Sequence, residues 1–166
     1  MKHTLSVLVE NQPGVLSRVA SLFARRGFNI DSLAVGTTQN PKISRMTILV
    51  DGDDHLVEQV EKQLNKLIPV IKVKVLEPGA FVSSELTLVK VACKPKQHAE
   101  VLNVARLMGA DVIDVAAASL TLRFAGDEER SRTLLELLTP YGLREVVRAG
   151  SIAIEKGSGV LKNNKE

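Results

Sequence analysis

Tryptophan is absent from this 166-residue chain, and four Phe and one Tyr are its only aromatics. The core must therefore be aliphatic, built from Val, Leu, Ile and Ala. A stacking platform for nucleic-acid bases would have to be assembled from very few rings. Cys93 is the single cysteine, which excludes an intrachain disulfide framework and a cysteine-based zinc site. No apolar run is long enough to span a bilayer. The start, Met1-Lys2-His3-Thr4, enters a strand-like pattern at once and lacks the apolar core of a signal peptide. The expectation is a cytoplasmic protein with no membrane association. A dominant charge of one sign is also missing. The formal net charge is +3, with Lys and Arg interspersed among Asp and Glu, so charge alone does not argue for a nucleic-acid partner. The only short basic run is Lys162 to Lys165.

Catalytic constellations are equally scarce. His3, His55 and His98 lie far apart, without metal-ligand spacing. Cys93 has no basic neighbour in sequence and reads as a buried structural thiol rather than a nucleophile. No serine stands in G-x-S-x-G, and neither G-x-x-x-x-G-K-[ST] nor G-x-G-x-x-G occurs. Asp51-Gly52-Asp53-Asp54 lacks the spaced oxygens of a calcium loop and reads as a turn supplying acids to a helix start. The chain is expected to have no catalytic site, no metal and no cofactor of its own.

What is present is a repeated alternation of strands and helices. Leu5, Val7 and Val9 recur with period two, as on a strand facing a core. Leu16, Val19, Ala20 and Phe23 share a helical face, which Gly27 closes. Strands follow at Asn29 to Val35 and at Ile43 to Val50. Val57, Val60, Leu64 and Leu67 mark a second helix, ended by Pro69. Ile71, Val73 and Val75 alternate with lysines in a fourth strand. The order β-α-β-β-α-β is the ferredoxin-like split arrangement, in which two helices bury one sheet face and the other is left free. Glu77-Pro78-Gly79-Ala80 reads as a linker, after which the pattern restarts. Strands are expected at Leu86 to Ala92, Val112 to Val115, Leu120 to Phe124 and Leu143 to Val147, with an extra one at Ile152 to Ile154. Helices carry Val101 to Met108 and Leu134 to Tyr141. The fold class is thus α+β, two ferredoxin-like βαββαβ domains in tandem. The expected bounds are 1–76, a linker at 77–83, a second domain at 84–155, and a disordered tail at 156–166. Domains of about 80 residues are marginal alone, which favours oligomerisation.

One loop, Glu10-Asn11-Gln12-Pro13-Gly14-Val15-Leu16, joins the first strand to the first helix. Backbone N–H groups at a helix start lack internal partners and carry partial positive charge. They can hold a carboxylate without a basic side chain. Gly14 leaves room for close approach, and the Asn11 amide can address a carboxylate or an ammonium group. Such a site suits a free amino acid. The residues alone favour a plain reading, in which Asn11 caps the helix and Pro13-Gly14 turns the chain.

The stretch Asn11-Gln12-Pro13-Gly14-Val15-Leu16 resembles the signature of ACT domains, ferredoxin-like modules that bind amino acids. Together with Leu5 to Glu10, Leu16-Ser17-Arg18-Val19, Arg26-Gly27-Phe28-Asn29-Ile30-Asp31-Ser32-Leu33, Ser44 to Ile48 and Glu61 to Leu67, it is similar to the small regulatory subunits of acetohydroxyacid (acetolactate) synthase. The likeness is dense to about residue 76 and looser to about 155. It implies a separate catalytic chain holding thiamine diphosphate, FAD and magnesium, which condenses pyruvate with a second 2-oxo acid toward the branched-chain amino acids. It also implies that the small subunit activates that chain and confers feedback inhibition by valine, with leucine and isoleucine as further candidates. N-terminal domains would pair as a homodimer with effector sites in the seam. Asn11, Gly14, Val15 and Leu16 would face the ligand from one chain, and Asn29 and Ile30 from its partner. Plain readings remain: Asn29 as a strand-entry residue, Ile30 as core, and Arg18, Arg25, Arg26 and Arg45 as solvated faces, though one of these arginines could reach the catalytic partner. The alternatives are an ACT-domain sensor of another amino acid controlling a different enzyme, and an RNA-binding ferredoxin-like protein.

Overall fold

The computed structural model describes residues 1–162. The expected tail at 156–166 and the basic run at Lys162 to Lys165 thus lie partly outside the described residues. The chain forms two compact units, Met1–Val82 together with the segment from Ser151 onward, and Ser83–Gly150.

In the first unit the strands are β1 (Lys2–Glu10), β2 (Ile30–Thr37), β3 (Ile43–Asp51) and β4 (Val70–Leu76). The helices are α1 (Val15–Arg26) and α2 (Asp54–Leu64). The sheet order is β2-β3-β1-β4, antiparallel at every pairing. Leu5, Val7 and Val9 of β1 point into a core with Val15, Val19, Leu22 and Phe23 of α1 and Val57, Val60 and Leu64 of α2. This is the expected arrangement: period-two apolar residues on the strands meet period-3.6 stripes on the helices. Asp53 caps α2, its carboxylate accepting from Leu56 N–H at 2.8 Å, which accounts for the acidic turn at 51–54. Leu67, read as part of that helix, lies beyond its end and packs on the core from the following turn.

The second unit repeats the topology. Its strands are β5 (Phe81–Ala92), β6 (Asp111–Ala116), β7 (Ser119–Gly126) and β8 (Leu143–Arg148), in the order β6-β7-β5-β8. The helices are α3 (His98–Met108) and α4 (Glu128–Leu138). Val89, Val91, Leu120, Leu122 and Phe124 of the sheet meet Val101, Ala105, Leu134 and Leu138 of the helices. Thr87 and Ser131 satisfy each other in this core, hydroxyl to hydroxyl at 2.9 Å. Cys93 is buried, and desolvation, then the Glu100 carboxylate, raises its thiol pKa.

The extra strand expected at Ile152 to Ile154 is present as β9 (Ile152–Glu155); it pairs with β5, and the segment from Ser151 onward groups with the first unit. β5 begins at Phe81, inside the stretch 77–83 read as a linker. The outer face of the first sheet is consequently not free. Ser6, Leu8, Thr47 and Leu76 alternate with the core residues and so point away from the helices, yet all four are buried. β9 lies against β1 and is anchored on three strands. Ser151 N–H donates to Ser32 Oγ at 3.0 Å on β2, Arg45 Nη2 on β3 donates to Ala153 O at 2.9 Å, and Lys74 on β4 pairs with Glu155 at 2.6 Å. Burial lowers the Arg45 pKa, and the Glu155 carboxylate counters that effect. The physical reason is plain: leucines on this face require a cover.

Beneath the cover, the Ser6 hydroxyl has no hydrogen-bond partner among the described residues. An unpaired buried hydroxyl costs free energy that a methyl group does not. Ser6→Ala should therefore stabilise the first unit by about 1 kcal/mol, read as a higher urea midpoint. A lower midpoint would show that the hydroxyl is satisfied in solution.

Candidate functional site

The connection from β1 to α1 is built around the backbone of Gly14. This residue is the N-cap of α1 with φ 84° and ψ −5°, and no side chain caps the helix. Left-handed backbone of this kind is readily available to glycine only. A Cβ placed on Gly14 would meet nothing within 4 Å, so the requirement is conformational and the space before the helix is open.

Asn11 does not cap α1, which removes the plain reading of that residue. Its Nδ2 donates to Pro41 O at 2.9 Å, and its backbone N–H donates to Lys42 O at 2.8 Å. Asn11 therefore ties the start of the loop to the 38–42 turn, leaving its side-chain oxygen available. Val15 N–H makes a long bond to Gln12 O at 3.4 Å, and the first i→i−4 bond runs from Arg18 N–H to Gly14 O. Between them, the N–H groups of Leu16 and Ser17 have no hydrogen-bond acceptor among the described residues. Two unpaired donors at a helix start, beside an open glycine, form an anion-accepting nest.

The side chains divide differently from the positional expectation. Val15 is buried and belongs to the core, so only its backbone can face a ligand; its side chain anchors the first helical turn. Leu16 points outward, 45% exposed, and provides an apolar wall beside the nest. Ile30 opens β2, half-buried against the first core. Asn29 just before it is exposed, and its amide donates to Asp31 Oδ1 at 2.9 Å. β2 is an edge strand. Gly27 closes α1 in a left-handed conformation, with Phe28 N–H returning to Phe23 O. Phe28 then stacks edge-on against the buried Phe23, ring centroids 6.3 Å apart. Phe23 and Phe28 are thereby committed to packing, which leaves neither ring for base stacking.

Among the described residues, no three His, Cys, Asp or Glu side chains gather as a metal site, and no helix is long and apolar enough to cross a membrane. His3 Nε2 lies 3.2 Å from Gly52 O, and His55 pairs with Gln59 one helical turn away. Sequence reasoning missed the role of Pro41 and Lys42 as acceptors for Asn11. The signal was only the turn-forming Asn40-Pro41, thirty residues away from its partner.

Residues 5–72 match the family described as the acetohydroxyacid synthase small subunit-like ACT domain, and residues 84–157 match the family described as the small subunit of acetolactate synthase. The chain is 48% identical over 158 residues to the probable acetolactate synthase small subunit of Archaeoglobus fulgidus, covering 95% of this chain and 99% of that one. It is 49% identical over 155 residues to the acetolactate synthase small subunit of Mycolicibacterium smegmatis, covering 93% and 91%. The crystal structure of the acetolactate synthase small subunit from Thermotoga maritima matches with a TM-score of 0.89 at 35% identity, over 96% of this chain and 99% of that one.

The geometry at Gly14 makes a direct prediction. Gly14→Ala should cost about 1 kcal/mol of stability through left-handed strain alone, whereas Gly14→Asn should cost less, since asparagine tolerates that region. Thermal unfolding of the two variants measures the difference; equal losses would mean that space, not backbone conformation, fixes glycine there.

Proposed function

The chain belongs to the acetolactate synthase small-subunit family, and from that premise we propose that its ACT domain binds valine and thereby makes a separate catalytic chain subject to feedback inhibition. In the absence of effector the same chain activates that partner. Thiamine diphosphate, FAD and magnesium belong to the catalytic chain in this reading, and the whole assembly works in the cytoplasm on the route to branched-chain amino acids.

The observation that carries the proposal is the unpaired Leu16 and Ser17 amides beside an unobstructed Gly14. They suit the effector's carboxylate. The free oxygen of Asn11 suits its ammonium group. Leu16 supplies apolar surface from the same chain. The other half of the site comes from the partner in a homodimer, whose N-terminal domains pair side by side. Asn29 and Ile30 at the entry to the edge strand β2 then face the neighbour's loop, Ile30 packing on the aliphatic side chain. Edge strands with open backbone groups favour such pairing. An apolar pocket of this sort separates ligands differing by one methylene by only about 1–3 kcal/mol, so leucine and isoleucine bind more weakly rather than not at all.

Inhibition requires that effector prefer one arrangement of the pair over the other. The coupling available is typically about 1–3 kcal/mol, enough to lower activity several-fold without dissociating the subunits.

Reconstitution with the catalytic chain tests this reading. Turnover should rise on adding the small subunit and fall again with valine. Gly14→Asp should abolish the fall while sparing the rise, because its carboxylate competes electrostatically with that of the ligand. Gly14→Asn, similar in size but neutral, should retain a weakened response. Full valine sensitivity in the aspartate variant would overturn the assigned site, and calorimetry favouring serine or phenylalanine over valine would overturn the effector.

A further inference from the structure

At the opposite end of α1, its last turn and the residues closing α2 surround a cavity. It has a volume of about 400 Å³ and is lined by Leu22, Arg25, Arg26, Gln63, Lys66 and Leu67. Three of these six are cations and none is an acid. Among the described residues, the side chains of Arg25, Arg26 and Lys66 make no ion pair with any carboxylate. α1 itself contains three arginines and no acidic residue.

Arginines in a last helical turn complement the helix dipole, and that role alone would explain Arg25 and Arg26. It does not explain Lys66, which lies past the end of α2. Nor does it explain a cavity with a leucine floor, or Ile68, which follows Leu67 and is 91% exposed. Convergent cations over apolar surface, beside an exposed isoleucine, are the composition of a docking patch.

We propose that this α1–α2 cavity docks an acidic segment of the catalytic chain, a loop or helix end carrying two or more carboxylates with an aliphatic residue between them. The proposal rests on the family-based reading for the existence of that partner. The guanidinium groups take the carboxylates as forked pairs, while Leu22, Leu67 and Ile68 take the aliphatic residue. Arg25, Arg26 and Lys66 are exposed, so a small free anion here would be screened and weakly held. A protein segment excludes water as it docks and so strengthens the same charges.

The test measures association of the full-length chain with the catalytic chain at low and high salt. Arg25→Glu/Arg26→Glu is compared with Lys96→Glu/Arg106→Glu, which makes the same charge change on exposed residues of the second unit. The first double variant should bind on the order of tenfold or more weakly and lose most of its salt dependence, with valine binding by calorimetry unchanged. The second should bind as the wild type does. A single Ile68→Ser variant should weaken binding without altering salt dependence. Absence of any wild-type association would overturn the family-based reading together with this surface. Association that the Arg25→Glu/Arg26→Glu variant retains, or that both double variants weaken equally, would overturn the surface alone. So would an RNA affinity lost in that variant while the catalytic chain still binds.

Discussion

Backbone conformation at one residue decides what the first unit can do. β1 must turn through a short loop into α1, and with φ at 84° Gly14 makes that turn without a side chain over the helix start. A serine or aspartate cap would have satisfied the leading amides internally. Here Leu16 and Ser17 keep theirs open, and the neighbouring side chains are disposed around that fact. Val15 goes inward to hold the first turn on the core, Leu16 goes outward, and Asn11 braces the loop against Pro41 and Lys42. The cost of leaving donors unpaired is modest at a solvated surface, where water meets them.

Much of this architecture is visible in the order of residues. Period-two apolar runs in β1, β3 and β4 and the stripes of α1 and α2 predict the observed sheet and its helix-covered face, because both follow from local periodicity. The loop at 11–16 is equally legible as a helix start. The role of Asn11 is not, since its acceptors arrive from the 38–42 turn and only the folded chain brings them near. Val15 shows the opposite limit: its place in a motif says nothing about which way its side chain points, and helical phase sends it to the core. The cover on the first sheet is the largest feature the sequence conceals. Ile152-Ala153-Ile154 alternates as any strand does, and nothing local indicates that it pairs with β5 while lying against β1. The one indirect sign is that Leu8 and Leu76 stand on a face that the two-layer fold leaves bare.

The two ends of α1 thus carry opposite chemistry. Its start offers unpaired amides beside an open glycine, suited to one small zwitterion. Its end, with the close of α2, offers three exposed cations beside leucines, suited to a larger anionic surface. A single helix of twelve residues links them. Its buried face, Val15, Val19, Leu22 and Phe23, runs from the residue beside the nest to one that lines the cavity. The two ends are thus joined by one packed face on the first core rather than by a chain of polar contacts.

Because the segment after Ser151 belongs with residues 1–82, the second unit is in effect an insertion within the first. On the ribosome the opening βαββαβ module emerges with Leu8, Leu76 and Thr47 uncovered, and it stays so until some seventy further residues have been made. Its greasy outer surface is then exposed for the whole interval, at the stage when nascent chains are most prone to stick to one another. Completion of the amino-terminal module is thereby timed by the last strand to be synthesised, so a chain interrupted before Ile152 would carry its defect in the unit made first.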